Sequence, residues 1–268
     1  MLRRSFISST LAAPLLARFS DSVTAGQGPQ GTATPELYVW RQFLLRNGTG
    51  PRRLSAFLEK AAVPALNRLG VKPVGVFETV AGPAQPAAFV LAPLTSIDTF
   101  LTLEAALGQD AEFRAAAKEY LEAPASDPVY VRQEVSLLRA FPNIPRLEVP
   151  AQTAERRPRL FELRTYESHN ERAHRLKMEM FTKLGELEIF RRVGLTPVFF
   201  GSTLIGPRIP NFTYMLVHDS LAAREKSWEA FRTDPAWKKL AATPGYSDAE
   251  IVSNITTWFL RPAASSQI

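Results

Sequence analysis

The feature that most constrains this chain is that it matches itself. At a constant offset of 124, Gly70, Pro73, Val74, Thr79, Gly82, Pro83, Pro86, Ser96, Ala106 and Asp110 fall on Gly194, Pro197, Val198, Thr203, Gly206, Pro207, Pro210, Ser220, Ala230 and Asp234, without a gap. Many of these are glycine or proline, which fix the path of the backbone, so the match is one of turn geometry. Upstream, Tyr38-Val39-Trp40-Arg41-Gln42-Phe43 lies over Phe161-Glu162-Leu163-Arg164-Thr165-Tyr166 with a one-residue shift. Two copies of one unit are expected, at 36–142 and 159–262. Between them runs a linker, 143–158, in a stretch punctuated by Pro142, Pro145, Pro150 and Pro158, and residues 263–268 follow as a tail.

The second copy predicts its own elements. Residues 160–167 alternate and are rich in Phe, Tyr and Leu, as a strand should be. Ser168-x-x-Glu171 reads as a capping box, followed by Ala173, Leu176, Met180, Leu184 and Leu187 on one stripe of a long helix that ends at Gly194. Residues 197–204 and 212–218 form a hairpin, 221–233 a second helix, Asp234-Pro235 an N-cap, and 251–260 the closing strand. The order is β-α-β-β-α-β, the ferredoxin-like unit, in the α+β class. Helices cover one face of such a sheet and leave the other bare, so two tandem copies are expected to bury their bare faces against each other. The result is a single-chain α+β barrel.

Composition excludes much chemistry. There are no cysteines and three histidines, which removes disulfides, thiolate metal sites and cysteine nucleophiles and leaves little for a histidine metal centre. No Ser-His-Asp order, HExxH, P-loop or GxGxxG is found. No run approaches the about 18 apolar residues of a spanning helix. The start, Arg3-Arg4-Ser5-Phe6-Ile7, then a mildly apolar run to Ala17 and Val23-Thr24-Ala25, has the order of a twin-arginine export signal over residues 1–25. The expected location is periplasmic or secreted, with a mitochondrial presequence as the alternative. Residues 26–35 form a leader to the first strand. Without Arg3, Arg4, Arg18 and Asp21 the chain keeps 29 basic against 25 acidic residues, dispersed along its length, and nucleic acid is not an expected partner.

Candidate site residues come from the strand at 160–167. Alternation puts Phe161, Leu163 and Thr165 on one face and Glu162, Arg164 and Tyr166 on the other. With the apolar face assigned to the helices, Glu162, Arg164 and Tyr166 are expected in the barrel interior, joined by Tyr214, His218 and Asn254. Charges there must pair with one another or with a ligand. The first copy keeps only Arg41 of the trio, with Val39 and Phe43 in the other places. His169 and His174 are expected at the surface, and His218 as a hydrogen-bonding residue rather than a metal or haem ligand.

Three segments together resemble the NIPSNAP family: Phe161 to Tyr166, Val193-Gly194-Leu195-Thr196-Pro197-Val198-Phe199-Phe200-Gly201, and Ala230-Phe231-Arg232-Thr233-Asp234-Pro235-Ala236-Trp237. The resemblance covers 160–262 strongly and 36–142 more weakly. It implies the dimeric α+β barrel superfamily, whose members include cofactor-free monooxygenases and haem-processing enzymes, and it carries over no settled catalytic residue. The expected function is the binding of a small polar or anionic organic ligand in the barrel interior, with Arg164 holding the anion. A cofactor-independent monooxygenase or isomerase using Glu162 or His218 as base, and a protein-interaction module, are the alternatives. No cofactor is predicted, with haem as the alternative, no metal is expected, and a homo-oligomer is compatible with the fold.

Overall fold

The computed structural model describes residues 34–268, so the predicted signal and all but the end of the leader lie outside the described residues. The first copy runs β1 (Leu37–Leu44), α1 (Gly50–Phe57), a π-helical turn (Leu58–Ala62), α2 (Val63–Arg68), β2 (Gly75–Ala81), β3 (Ala87–Leu94), α3 (Ile97–Gln109), α4 (Ala111–Leu121) and β4 (Arg132–Ala140). A short α5 (Ala151–Ala154) sits in the connection. The second runs β5 (Leu160–Glu167), α6 (Glu171–Thr182), α7 (Glu186–Arg192), β6 (Thr196–Ile205), β7 (Asn211–His218), α8 (Leu221–Thr233), α9 (Pro235–Ala241), α10 (Asp248–Ile251) and β8 (Asn254–Pro262).

The eight strands close into one antiparallel barrel in the order β1-β3-β2-β8-β5-β7-β6-β4. Each copy contributes four neighbours, and the copies join where β2 meets β8 and β4 meets β6. This is the single-chain α+β barrel expected from the repeat. The offset survives in detail: β3 and α3 shifted by 124 are β7 and α8. Ser96 and Ser220 cap α3 and α8, Asp110 and Asp234 cap α4 and α9, and the ion pair Arg68–Asp110 recurs as Arg192–Asp234. Gly70 and Gly194 both turn the chain after a helix with positive φ, +79° and +83°, where a side chain would strain the backbone.

The barrel interior is apolar and shared by both copies. Trp40, Phe77 and Phe89 of the first interlock with Phe161, Phe199 and Trp258 of the second. The Phe77 and Phe161 rings lie 4.9 Å apart, and Phe89 and Trp258 5.0 Å apart. These cross-copy contacts replace the water that each bare sheet face would otherwise meet.

Several local expectations differ. The second-copy helix begins with Asn170, whose Oδ1 accepts from the Ala173 amide, because Ser168 is buried and its own amide donates to the Pro210 carbonyl. The long helix is two helices, broken by Gly185 at φ +88°. Ile251 ends a short helix rather than opening the last strand. Residues 263–268 are packed: Ser266 Oγ and Gln267 Oε1 accept from the Val76 and Val74 amides, and Ile268 joins the interior cluster.

Candidate functional site

Glu162, Arg164 and Tyr166 do not point into the barrel. Phe161 and Leu163 fill the interior, whereas Tyr166 and Tyr214 belong to the cluster between the sheet and the helices. The face assignment from sequence is therefore reversed, for an electrostatic reason. The interior offers no partner for a charge, while α8 brings one to the other face. Arg224 Nε and Nη2 donate to Glu162 at 3.0 and 2.8 Å, and the Trp228 indole donates at 2.8 Å. Arg224 and Trp228 are four residues apart on one helix face, a spacing that could have identified them as partners.

His218 Nε2 lies 3.3 Å from Glu162 Oε2, and Arg164 Nη1 lies 3.8 Å from Glu162 Oε1. Burial alone would raise the Glu162 pKa. His218 at 3.3 Å and the hydrogen bonds from Arg224 and Trp228 outweigh it and hold the carboxyl down at about 2. Arg164 stacks over Trp228 at 4.6 Å and Tyr166 at 5.3 Å. Tyr214 stacks on Phe200 at 4.6 Å, with its hydroxyl 3.5 Å from that of Tyr166. Asn254 stands apart, exposed, donating to Glu167 at 2.9 Å. Five of the six candidate residues thus converge, and they form a filled ion-pair network. His218 faces a carboxylate there.

Sequence reasoning missed the continuation of this network. Lys177 Nζ is buried 3.2 Å from Glu186 and 3.0 Å from Asp248, within 5.5 Å of the ring centroids of Tyr166, Phe181 and Trp237. Burial raises the Glu186 carboxyl to about 7 against the opposing pull of Lys177. The available signal was the position of Lys177 on the Ala173–Met180 stripe. His174, expected at the surface, is buried with Nε2 3.0 Å from Ser202 Oγ. Among the described residues no group of three or more His, Cys, Asp or Glu is placed to hold a metal ion.

The open space lies elsewhere. At the end of the barrel flanked by the β2–β3 and β6–β7 hairpins, the apolar interior gives way to Gln42, Ser136, Thr165, Thr203 and Thr213 around a chamber of about 30 Å³. A vestibule of about 380 Å³ opens beyond it, and Gln42, Glu134, Pro207, Arg208 and Trp258 line both. Thr165 and Thr213 share a hydrogen bond of 2.8 Å, and Thr203 donates to Asn211 at 2.6 Å. Arg208 holds a left-handed conformation, φ +60°, while the Asn211 amide donates to the carbonyls of Pro207 and Arg208. Such a conformation in a non-glycine residue persists only where its surroundings hold it.

Residues 161–267 match the family model described as NIPSNAP. The second copy is a NIPSNAP domain. No curated protein matches the chain. Among solved structures, a candidate monooxygenase of Fusobacterium nucleatum subsp. nucleatum is similar at TM-score 0.55 and 7% identity, over 86% of this chain and 94% of that one. A candidate monooxygenase of Lactobacillus acidophilus matches at TM-score 0.55 and 8% identity, over 87% and 97%. An anthrone oxidase-like protein matches at 0.52 and 10%, over 86% and 92%. At these identities the likeness is one of fold, and it spans both copies. The Glu162 network lies wholly within the NIPSNAP domain, whereas the barrel mouth takes residues from that domain and from the divergent copy.

Proposed function

We propose that the barrel mouth binds a small polar organic molecule, and that residues 1–25 export the protein to the periplasm or beyond. The observation that carries the binding reading is the switch from apolar to hydrogen-bonding side chains at one end of a barrel that is otherwise filled with aromatic rings. Packing does not call for them, because a buried polar group without a partner costs free energy. Thr165, Thr213 and Thr203 satisfy one another or Asn211, while Gln42 and Ser136 are left without a side-chain partner among the described residues. A hydroxyl, carbonyl or carboxyl end of the ligand enters the chamber, and the rest lies in the vestibule against Trp258 and Pro83, with Glu134 and Arg208 at hand to match its charge.

Binding rather than proton abstraction fits the chemistry. Glu162 at a pKa of about 2, with both oxygens engaged, is a poor base. The likeness to the candidate monooxygenases is one of fold.

Trp40 and Trp258 line the chamber and serve as reporters. Titration with small polyols, hydroxy acids and amino acids should give one class that changes tryptophan emission saturably and raises the melting temperature. Gln42→Leu should weaken that ligand at least tenfold while leaving the ligand-free melt in place. Unchanged emission with all three classes, or unchanged affinity in Gln42→Leu, overturns the assignment. For export, the intact mass of protein from its native host should begin at Gly26, and a full-length mass would refute it.

A further inference from the structure

The largest cleft among those described is neither the mouth nor the Glu162 network. It has a volume of about 600 Å³ and lies in the first copy, between α1 with its π turn and the outer face of β2 and β3. It shares no lining residue with the mouth. Its walls are Leu54 and Leu58 on the helix and Val76 and Ala88 on the sheet.

The second copy shows what the same frame looks like when this space is filled. At the offset of 124, Val76 and Ala88 become Phe200 and Phe212, both fully buried, with ring centroids 5.1 and 5.7 Å from that of Phe181. Two phenyl rings are thus missing from the floor of the first copy, where the smaller Val76 and Ala88 pack with Leu54 and Leu58 in one apolar cluster and line the cleft. The wall opposite is the π turn Leu58–Ala62, which supplies Leu58, Glu59 and Lys60 to the cleft. A π turn widens a helix at a cost in hydrogen-bond geometry, and such turns recur at functional positions.

The rim is charged. Arg261 is tied to Glu78 at 2.8 Å. Arg52 and Lys60, with the single carboxylate Glu59, remain without an ion pair among the described residues. An apolar trough with two available cations at its lip matches a ligand with an apolar body and an anionic head.

We propose that this cleft is a second binding site, for an organic anion with a single apolar chain, its chain lying over Val76 and Ala88 and its head between Arg52 and Lys60. Decanoate is the probe and decanol its uncharged control, both titrated calorimetrically into the whole protein below their aggregation limits. Decanoate should bind saturably at one equivalent, with decanol at least fivefold weaker. Ala88→Phe, which installs the second copy's side chain, should weaken decanoate at least tenfold. The double variant Arg52→Gln, Lys60→Gln changes only exposed side chains, so it stays informative if Ala88→Phe misfolds. It should bring decanoate down to the affinity of decanol and leave decanol unchanged. Absence of saturable binding by either probe overturns the site, as does parental affinity in a folded Ala88→Phe protein. Equal binding of decanoate and decanol by the parent protein, or a double variant that still prefers decanoate over decanol as the parent does, overturns the assignment of an anion.

Discussion

The two copies share a frame and differ in what they place between sheet and helices. In the NIPSNAP domain that layer holds Glu162, Arg164, Tyr166, Tyr214 and His218, whose counterparts in the first copy are Val39, Arg41, Phe43, Val90 and Leu94. Phe200 and Phe212 fill the second layer, where Val76 and Ala88 leave a cleft in the first. The β1–β3 and β5–β7 registers, the serine and aspartate caps and the Arg68–Asp110 and Arg192–Asp234 pairs are nevertheless the same. Turns and caps therefore specify the frame, and the layer inside it is free to become an ion-pair network in one copy and an open trough in the other. The polar mouth belongs to neither copy alone.

The sharpest way to break this comparison is to remove the charge at the centre of the network. Glu162→Ala leaves Arg164, His218 and Trp228 facing no acceptor in a buried layer and leaves Arg224 with Glu225 alone. The expected loss is about 3–5 kcal/mol in urea unfolding. Val39→Ala, at the matching position, strands no polar group and should cost distinctly less through lost apolar contact alone. Equal losses at the two positions would show that the network is not what stabilises the NIPSNAP domain.

A second difference is visible in pH. Glu162 is held at about 2 against an ordinary 4.5, so its contribution to stability is complete above 4.5 and is lost as pH falls toward 2. Glu186 is raised to about 7, so the folded form binds its proton more tightly than the unfolded chain does. Its contribution is complete below 4.5 and is lost as pH rises through 7, by about 2–4 kcal/mol. Ala62 stands at the place of Glu186 in the first copy, so this limb comes from the second copy alone. Unfolding free energies from pH 3 to 8 should rise and then decline, and Glu186→Gln should flatten the decline between 4.5 and 7. A decline that persists in Glu186→Gln assigns it to another group.

These effects also mark how far the sequence could be read. The frame was legible because Gly70 and Gly194, the hairpin prolines and the caps are local signals, each acting on the backbone within a few residues. The face of β5 was not, because alternation separates two faces without saying which one meets a helix; only Arg224 and Trp228, 62 and 66 residues away, decide it. Lys177 meets Glu186 because Gly185 breaks the helix between them, which an apolar stripe running through to Leu187 conceals. The mouth was invisible for a different reason. Gln42, Ser136, Thr165 and Thr203 sit on four strands and converge only through barrel closure and the register shifts between β4 and β6.

The smallest predicted effect tests whether frame and contents are separable at all. Ser96 Oγ accepts from the Thr99 amide at 3.2 Å, and Ser220 Oγ accepts from the Ala223 amide at 3.1 Å. Each serine ends an extended segment and satisfies an amide that the first turn of its helix leaves unbonded. Replacing either by alanine should cost about 1 kcal/mol, and the two losses should agree. The helices behind them carry very different loads, since α8 delivers Arg224 from its first turn to Glu162, and at the corresponding position α3 has Phe100. Equal losses mean that Arg224 is held by its own bonds to Glu162 and not by the cap. A distinctly larger loss for Ser220→Ala would mean that fraying the start of α8 releases Arg224, so that the NIPSNAP network depends on the frame that the two copies share.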